Sequence, residues 1–120
     1  MGRILIADDE EVVVKFLRRC LEGAGHEVVA TSDGLEALKA ALTQDFDLYV
    51  LDVRMPRLDG YSLCNSITKK FPGRPVVLVT ALAPQKFEAM ARTSGASAII
   101  PKPFDAPEFM RRIEQFLPKR

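Results

Sequence analysis

Apolar residues fall into five short runs, and each run is followed by a longer stretch in which apolar and polar residues recur at helical spacing. Short, fully apolar runs are typical of strands that are buried on both faces of a parallel sheet. We therefore predict strands over residues 3–7, 27–31, 47–51, 76–80 and 98–100. Because right-handed crossovers are nearly obligatory, this alternation predicts one α/β domain, residues 1–120, with a five-stranded, doubly wound parallel sheet.

Five helices are predicted, one after each strand. The first runs from about Val12 and ends near Gly23 and Gly25, and the second opens at Asp33, which with Glu36 resembles a capping pair. The other three are predicted over residues 61–70, 84–95 and 107–117. The residues predicted to face inward are Leu35, Leu38 and Leu42 in the second helix and Phe109, Ile113, Phe116 and Leu117 in the fifth.

The composition argues against several classes of function. Lys and Arg number 17 and Asp and Glu 16, which leaves no basic excess for direct nucleic-acid binding. No apolar run approaches the ~20 residues that insert across a membrane, and Arg3 and the acids at 8–11 interrupt any signal peptide. Cys20 and Cys64 occupy apolar positions of helical patterns, so we expect buried, reduced thiols. These features predict a cytoplasmic protein.

Polar residues stand at the ends of four of the five predicted strands. Asp8 and Asp9 follow the first strand, Asp52 follows the third, Thr80 ends the fourth, and Lys102 comes shortly after the fifth. In open α/β sheets the carboxyl ends of the strands form the edge at which ligands bind. Each residue alone is more often a cap, a strand former or a solvated charge. Together they predict one reactive site.

The residue types at this edge indicate phosphoryl chemistry with a metal ion. Neighbouring carboxylates require a cation, and Mg²⁺ prefers carboxylate and carbonyl oxygens, which Asp9, Asp52 and the loop after Asp52 offer. The Thr80 hydroxyl and the Lys102 ammonium suit phosphoryl oxygens. An ionised Asp52 can attack phosphorus and form an aspartyl phosphate.

The ordered set of motifs resembles the receiver domain of two-component response regulators, in particular the chemotaxis type. The resemblance covers the whole chain and rests on the Asp8-Asp9 pair, Asp52 with residues 53–60, Thr80-Ala81 and Lys102-Pro103-Phe104. It implies a flavodoxin-like sheet with strand order 2-1-3-4-5. It also implies that a histidine kinase or a histidine phosphotransfer protein phosphorylates Asp52, and that the domain acts as a switch rather than as an enzyme on other substrates.

The resemblance further implies a role for each site residue. Mg²⁺ would be held by Asp9, Asp52 and the backbone carbonyl of Arg54, with Asp8 acting mainly through water. Thr80 and Lys102 would contact the phosphoryl group. The peptide bond between Lys102 and Pro103 is often cis in this family.

The chain departs from the family pattern at two places near the fifth strand. Many receivers have an aromatic residue three positions before the lysine, whereas this chain has Ile99, and residues 96–98 lack the acids that many transcription-factor receivers use in dimers. By resemblance, the responding surface is the fourth helix, fifth strand and fifth helix. Our hypothesis is that Ile99 packs inward and that the loop 81–84 carries the signal.

Two other functions compete with the switch. A phosphatase of the haloacid-dehalogenase kind also uses an Asp nucleophile with Mg²⁺, but it needs a second Asp two residues later, where this chain has Arg54. Arg cannot donate a proton near neutral pH. The other alternative is a receiver-shaped docking module that takes no phosphate, which the complete set of acids, Thr80 and Lys102 disfavours.

The sequence leaves the output open. The chain ends at Arg120, directly after the fifth predicted helix. The domain could act on a separate downstream protein target, or it could control a C-terminal effector domain that is missing from this chain.

Overall fold

A parallel sheet of five strands organises the structure, a computed structural model that describes residues 2–81, 89 and 93–117. The strand order is β2-β1-β3-β4-β5, and all adjacent pairs are parallel, which confirms the predicted topology. The strands are β1 Arg3–Ala7, β2 Glu27–Thr31, β3 Leu48–Asp52, β4 Val76–Thr80 and β5 Ala98–Pro101. Three of them have the predicted bounds, β3 lies one residue later than predicted, and β5 is one residue longer.

The register of the central strands brings the polar strand ends together. Ala7 pairs with Leu51, so Asp8 and Asp52 are the next residues of neighbouring strands. The backbone N–H of Lys102 donates to the carbonyl of Thr80 at 2.7 Å, which aligns the ends of β4 and β5. The sheet therefore presents the predicted site residues along one edge.

Four helices are described, namely α1 Glu11–Gly23, α2 Gly34–Thr43, α3 Gly60–Lys70 and α4 Ala106–Glu114. Each of the last three is capped by an Asp carboxylate that accepts a backbone N–H three residues on; the caps are Asp33, Asp59 and Asp105. Such caps satisfy donors that have no partner inside the helix. The helix predicted over residues 84–95 lies mostly outside the described residues.

The two faces of the sheet carry separate apolar cores. One face, with Ile6 and Val50, packs against α1 and α4, and the other, with Leu5 and Leu51, packs against α2 and α3. Phe109 and Ile113 of α4 are fully buried as predicted. Phe116 and Leu117 are only half-buried, because α4 ends at Glu114 and both residues lie beyond it.

The predicted inner face of α2 is wrong. Leu35 and Leu42 are 48% and 53% exposed, and Leu38 is half-buried. The residues that face the sheet are Ala37, Ala40 and Ala41. The physical reason is the close approach of α2 to its neighbours: a Cβ added at Gly34 would lie 1.8 Å from the carbonyl oxygen of Leu58. Small residues fit this spacing and leucines do not.

The remaining general predictions concern the cysteines and membrane insertion. Cys20 and Cys64 are both free, and Cys64 is buried as expected whereas Cys20 is half-buried. Burial raises the pKa of the Cys64 thiol to about 11, so this thiol is unreactive at neutral pH. In the described part of the chain, no helix combines the length and apolar character that crossing a membrane requires.

Candidate functional site

A cavity of about 390 Å³ opens at the C-terminal edge of the sheet. It is lined by Asp9, Glu10, Asp52, Arg54, Thr80, Ala81 and Lys102. Asp8 lies at the same edge and contacts the Lys102 ammonium. The structure therefore brings together all the residues that the sequence predicted for the site.

Asp52 is the last residue of β3 and is only 7% exposed. The turn that follows fixes it, because Gly60 donates its N–H to the carbonyl of Val53 at 2.8 Å and approaches the Asp52 backbone closely. Burial, and then the charge of Asp8, raise the pKa of Asp52 to about 6, against the opposing effect of the Lys102 ammonium. At neutral pH this side chain is mainly an ionised nucleophile in a crowded, poorly solvated position.

The two acids after β1 occupy different environments. Asp8 is 2% exposed, and its Oδ1 accepts the backbone N–H of Glu10 at 2.9 Å. Burial raises the pKa of Asp8 above its ordinary value, although this hydrogen bond and the Lys102 charge oppose the shift. Asp9 is exposed and lines the cavity. An incoming ion therefore meets Asp9 at the surface, and Asp8 lies deeper.

Lys102 is a shared counter-charge for this cluster. Its Nζ lies 3.1 Å from Asp8 Oδ2, 2.9 Å from Glu10 Oε1 and 3.6 Å from Asp52 Oδ2. Burial lowers the pKa of Lys102, but the hydrogen bond to Glu10 and the charges of Asp52 and Asp8 outweigh it, so the pKa is raised. The Lys102–Pro103 peptide bond is cis, as the resemblance implied.

Glu10 is a site residue that the sequence analysis missed. Asp8, Glu10 and Asp52 can each place one carboxylate oxygen within 4.8 Å of the others. In sequence, Glu10 reads as an ordinary acid before a helix, because acids are common near helix N-termini. The available signal was its place directly after the Asp8-Asp9 pair, on the same turn that leads into α1.

Thr80 and Ile99 lie where the sequence analysis placed them, on the two neighbouring strands. Thr80 ends β4, is 2% exposed and lines the cavity. Ile99 is 7% exposed and packs in the core beneath α2 and α3, which confirms that it points inward. The loop 81–84, proposed to carry the signal, lies outside the described residues beyond Ala81.

Comparison with known proteins identifies the family. Residues 4–114 match the response regulator receiver domain. The chain belongs to this family. Alkaline phosphatase synthesis transcriptional regulatory protein PhoP of Bacillus subtilis is 37% identical over 96% of the chain and 48% of its own length. Response regulator MprA of Mycobacterium leprae is 36% identical over 96% of the chain and 50% of its own length. The receiver thus spans about half the length of these curated relatives.

Solved receiver structures share the fold along the whole chain. The chemotaxis protein CheY4 of Vibrio cholerae superposes with a TM-score of 0.89 at 27% identity, covering 98% of this receiver and 99% of CheY4. The response regulator TrrA of Thermotoga maritima, solved in complex with Mg²⁺ and BeF, gives a TM-score of 0.87 at 29% identity, covering 98% and 100% of the two chains. The flavodoxin-like fold is confirmed.

Membership in the family establishes the general function. The chain is a receiver domain of a two-component system and works as a phosphoacceptor signalling switch. Its acidic pocket suits Mg²⁺, because crowded carboxylate oxygens are the ligands that this hard cation prefers. The relatives are regulators, so the phosphatase alternative finds no support.

Proposed function

We propose that Asp52 is the residue that accepts the phosphoryl group, from a histidine kinase or a histidine phosphotransfer protein. The observation that carries this assignment is its position: a buried carboxylate at the end of β3, in an open cavity, with Oδ2 3.6 Å from the Lys102 ammonium. The other carboxylates of the cavity follow β1 and flank this position. Asp52 is thus the acid that both the sheet edge and the cation face.

In the proposed transfer, a carboxylate oxygen of Asp52 forms a bond to phosphorus as the bond from phosphorus to the histidine nitrogen breaks. The electron pair of the broken bond stays on the imidazole, which takes up a proton. We assign Lys102 and Thr80 to the phosphoryl oxygens, because an ammonium and a hydroxyl at the cavity wall can donate to them. The protein mainly positions the reactants and neutralises their charge.

We assign the metal ligands to Asp9, Asp52 and the backbone carbonyl of Arg54, with Asp8 acting through water. Three of these residues line the cavity, and Asp8 is buried beside it. When bound, Mg²⁺ would supply the positive charge that lets Asp52 and a phosphoryl group approach each other. The raised pKa values of Asp8 and Asp52 support this assignment, since they mark a cluster with excess negative charge.

The donor protein has to place its histidine over the cavity, so it has to dock on the rim. An apolar groove of about 340 Å³ adjoins the cavity and shares Glu10 and Lys102 with it. Its apolar lining consists of Val12, Val13, Phe16, Pro103 and Phe104, and Val12 is 80% exposed. We propose this groove as part of the donor's docking surface, because exposed apolar patches beside polar sites mark protein contacts.

The energy of the new contacts is sufficient for a switch. Two charge-assisted hydrogen bonds, from Lys102 and Thr80, contribute roughly 3–5 kcal/mol in the active arrangement. Converting a mostly inactive population into a mostly active one takes about 5.5 kcal/mol. Phosphorylation therefore shifts most of the population, and a partner that prefers the active form completes the change.

The output we propose is a changed contact surface that includes β5 and α4. These elements are joined by a hydrogen bond from Arg112 Nη2 to the carbonyl of Ile99 at 3.1 Å. The recipient is a downstream protein target or a C-terminal effector domain, without direct nucleic-acid binding by the receiver. Beyond its own phosphorylation and slow autodephosphorylation we assign the receiver no enzymatic activity. The two free thiols fit our proposal that it works in the reducing cytoplasm.

Intact mass after incubation with acetyl phosphate and Mg²⁺ tests the acceptor assignment. We expect one added phosphoryl group in the wild type, none in Asp52→Asn, and none with EDTA. An adduct that persists in Asp52→Asn would assign the acceptor elsewhere. The absence of any adduct, also with a phosphorylated histidine donor, would favour a docking module that takes no phosphate.

A further inference from the structure

Glu10 forms the shortest contact that Lys102 makes in the acidic cluster. The distance from Lys102 Nζ to Glu10 Oε1 is 2.9 Å, whereas Asp52 Oδ2 lies at 3.6 Å, beyond a good hydrogen bond. The lysine that should serve the phosphoryl group is therefore bonded to other acids in this unphosphorylated state. Glu10 is the more exposed of these acids, with a side chain 61% exposed against 2% for Asp8.

The geometry of α1 gives Glu10 no structural duty of its own. It precedes the first residue of α1 in an extended conformation, and its side chain makes no capping hydrogen bond to that helix. The neighbouring turn is held instead by Asp8, which accepts the backbone N–H of Glu10. The carboxylate of Glu10 is thus free to reach across the cavity rim, and the residue it reaches is 14% exposed Lys102.

We propose that Glu10 is a positioning residue that holds the Lys102 ammonium in the unphosphorylated receiver and competes with the phosphoryl group for it. This inference rests on the proposed role of Asp52 as acceptor. An ammonium has three donors on one compact charge, so a phosphoryl group on Asp52 gains its full contact only when Lys102 turns towards it. Each step in that direction lengthens the contact to Glu10.

A second effect of Glu10 acts in the same direction. Its carboxylate belongs to the cluster that lies within 4.8 Å, so it repels the negative charge that phosphorylation brings to Asp52. Both effects favour the empty state of the site. Glu10 would accordingly set how readily the receiver is occupied, without touching the phosphoryl group itself.

The test is the affinity of the wild type and of Glu10→Gln for beryllium fluoride, a phosphoryl stand-in, measured by ¹⁹F NMR at saturating Mg²⁺. We expect Glu10→Gln to bind about 3- to 10-fold more tightly, the size of effect typical of one partly exposed ion pair. Glu11→Gln is the matched control: it removes the same charge from the next residue, which pairs with Lys15 at 3.3 Å on the surface. We expect it to change the affinity less than about 2-fold.

Glu10→Asp distinguishes contact from charge. It keeps the negative charge but shortens the reach by one methylene, so it behaves like Glu10→Gln when the bond to Lys102 is what matters. Equal affinity of Glu10→Gln and wild type would overturn the inference while leaving the acceptor assignment intact. Wild-type-like binding by Glu10→Asp would also overturn it, in favour of a general charge effect. Absence of binding by the wild type itself would reject the proposed function and this inference together.

Discussion

The two edges of the sheet carry similar residue types but treat charge in opposite ways. At the N-terminal edge, Arg74 donates to Asp45 and to the Tyr49 hydroxyl, both at 3.0 Å, and lies over the Phe71 ring at 4.0 Å. Each charge there has a nearby partner, and Asp45 is largely in water. At the C-terminal edge, several acids crowd around the Lys102 ammonium.

The size of a cavity does not mark the functional edge. The N-terminal edge has the larger cavity, about 640 Å³ against about 390 Å³. Its lining pairs two arginines with two aspartates: Arg3, Arg74, Asp45 and Asp47. The smaller cavity has excess negative charge, and that excess is what a metal ion and a phosphoryl-transfer site require. Unbalanced, buried charge is therefore the better guide to function in this fold.

Gly60→Ala should break the functional edge most severely. A Cβ at this position would lie 2.2 Å from the Asp52 carbonyl oxygen and 2.8 Å from the Val53 Cα, and neither backbone atom can move without disturbing β3. We expect a loss of about 3 kcal/mol or more in the free energy of unfolding, measured with urea. Gly23→Ala is the control, because a Cβ there meets nothing within 4 Å. It should be neutral or stabilising by up to ~1 kcal/mol; equal losses in both variants would refute this account of the turn.

Asp52→Asn should stabilise the fold at neutral pH, and the gain should depend on pH. The pKa of Asp52 is raised from 3.8 to about 6, so the native state holds a proton that the unfolded chain has lost between these values. The stability from that proton is complete below pH ~4 and disappears as the pH rises through ~6. The neutral Asn never incurs this loss. We expect a gain of up to about 3 kcal/mol at pH 7.5 and almost none at pH 4, from urea unfolding.

Asp45→Asn sharpens the comparison with the other edge. Asp45 is 90% exposed and paired with Arg74, so its removal should cost a few tenths of a kcal/mol and never stabilise. A pH-independent effect of Asp52→Asn, or a gain of similar size in Asp45→Asn, would contradict the distinction between the two edges.

Mg²⁺ should stabilise the receiver through the C-terminal edge alone. A ligand at ten times its dissociation constant adds about 1.4 kcal/mol, visible as a higher midpoint of thermal unfolding. We expect Asp9→Asn to lose most of this increment and Asp45→Asn to keep it, since Asp9 lines the acidic cavity and Asp45 the balanced one. An increment that survives Asp9→Asn but falls in Asp45→Asn would place the ion at the wrong edge.

The sequence predicted most where a local rule governs the structure. Strand bounds came from short apolar runs, and the cap at Asp33 came from a spacing that fixes one hydrogen bond. The inner face of α2 failed because Leu35 and Ala37 are both apolar, and periodicity cannot rank them. The spacing between α2 and the loop at Leu58 decided in favour of alanine, and that spacing is a property of the assembled layers.

The site divides in the same way. The sequence by itself determined which chemistry is present, because strand ends in a parallel sheet meet at one edge and Asp8, Asp9, Asp52, Thr80 and Lys102 all stand at such ends. Only the tertiary structure decided which charges touch. Lys102 lies 92 residues from Glu10 along the chain and 2.9 Å from it in space. No local pattern encodes that distance, since it depends on where β1 and β5 end relative to each other and on how a long side chain crosses between them.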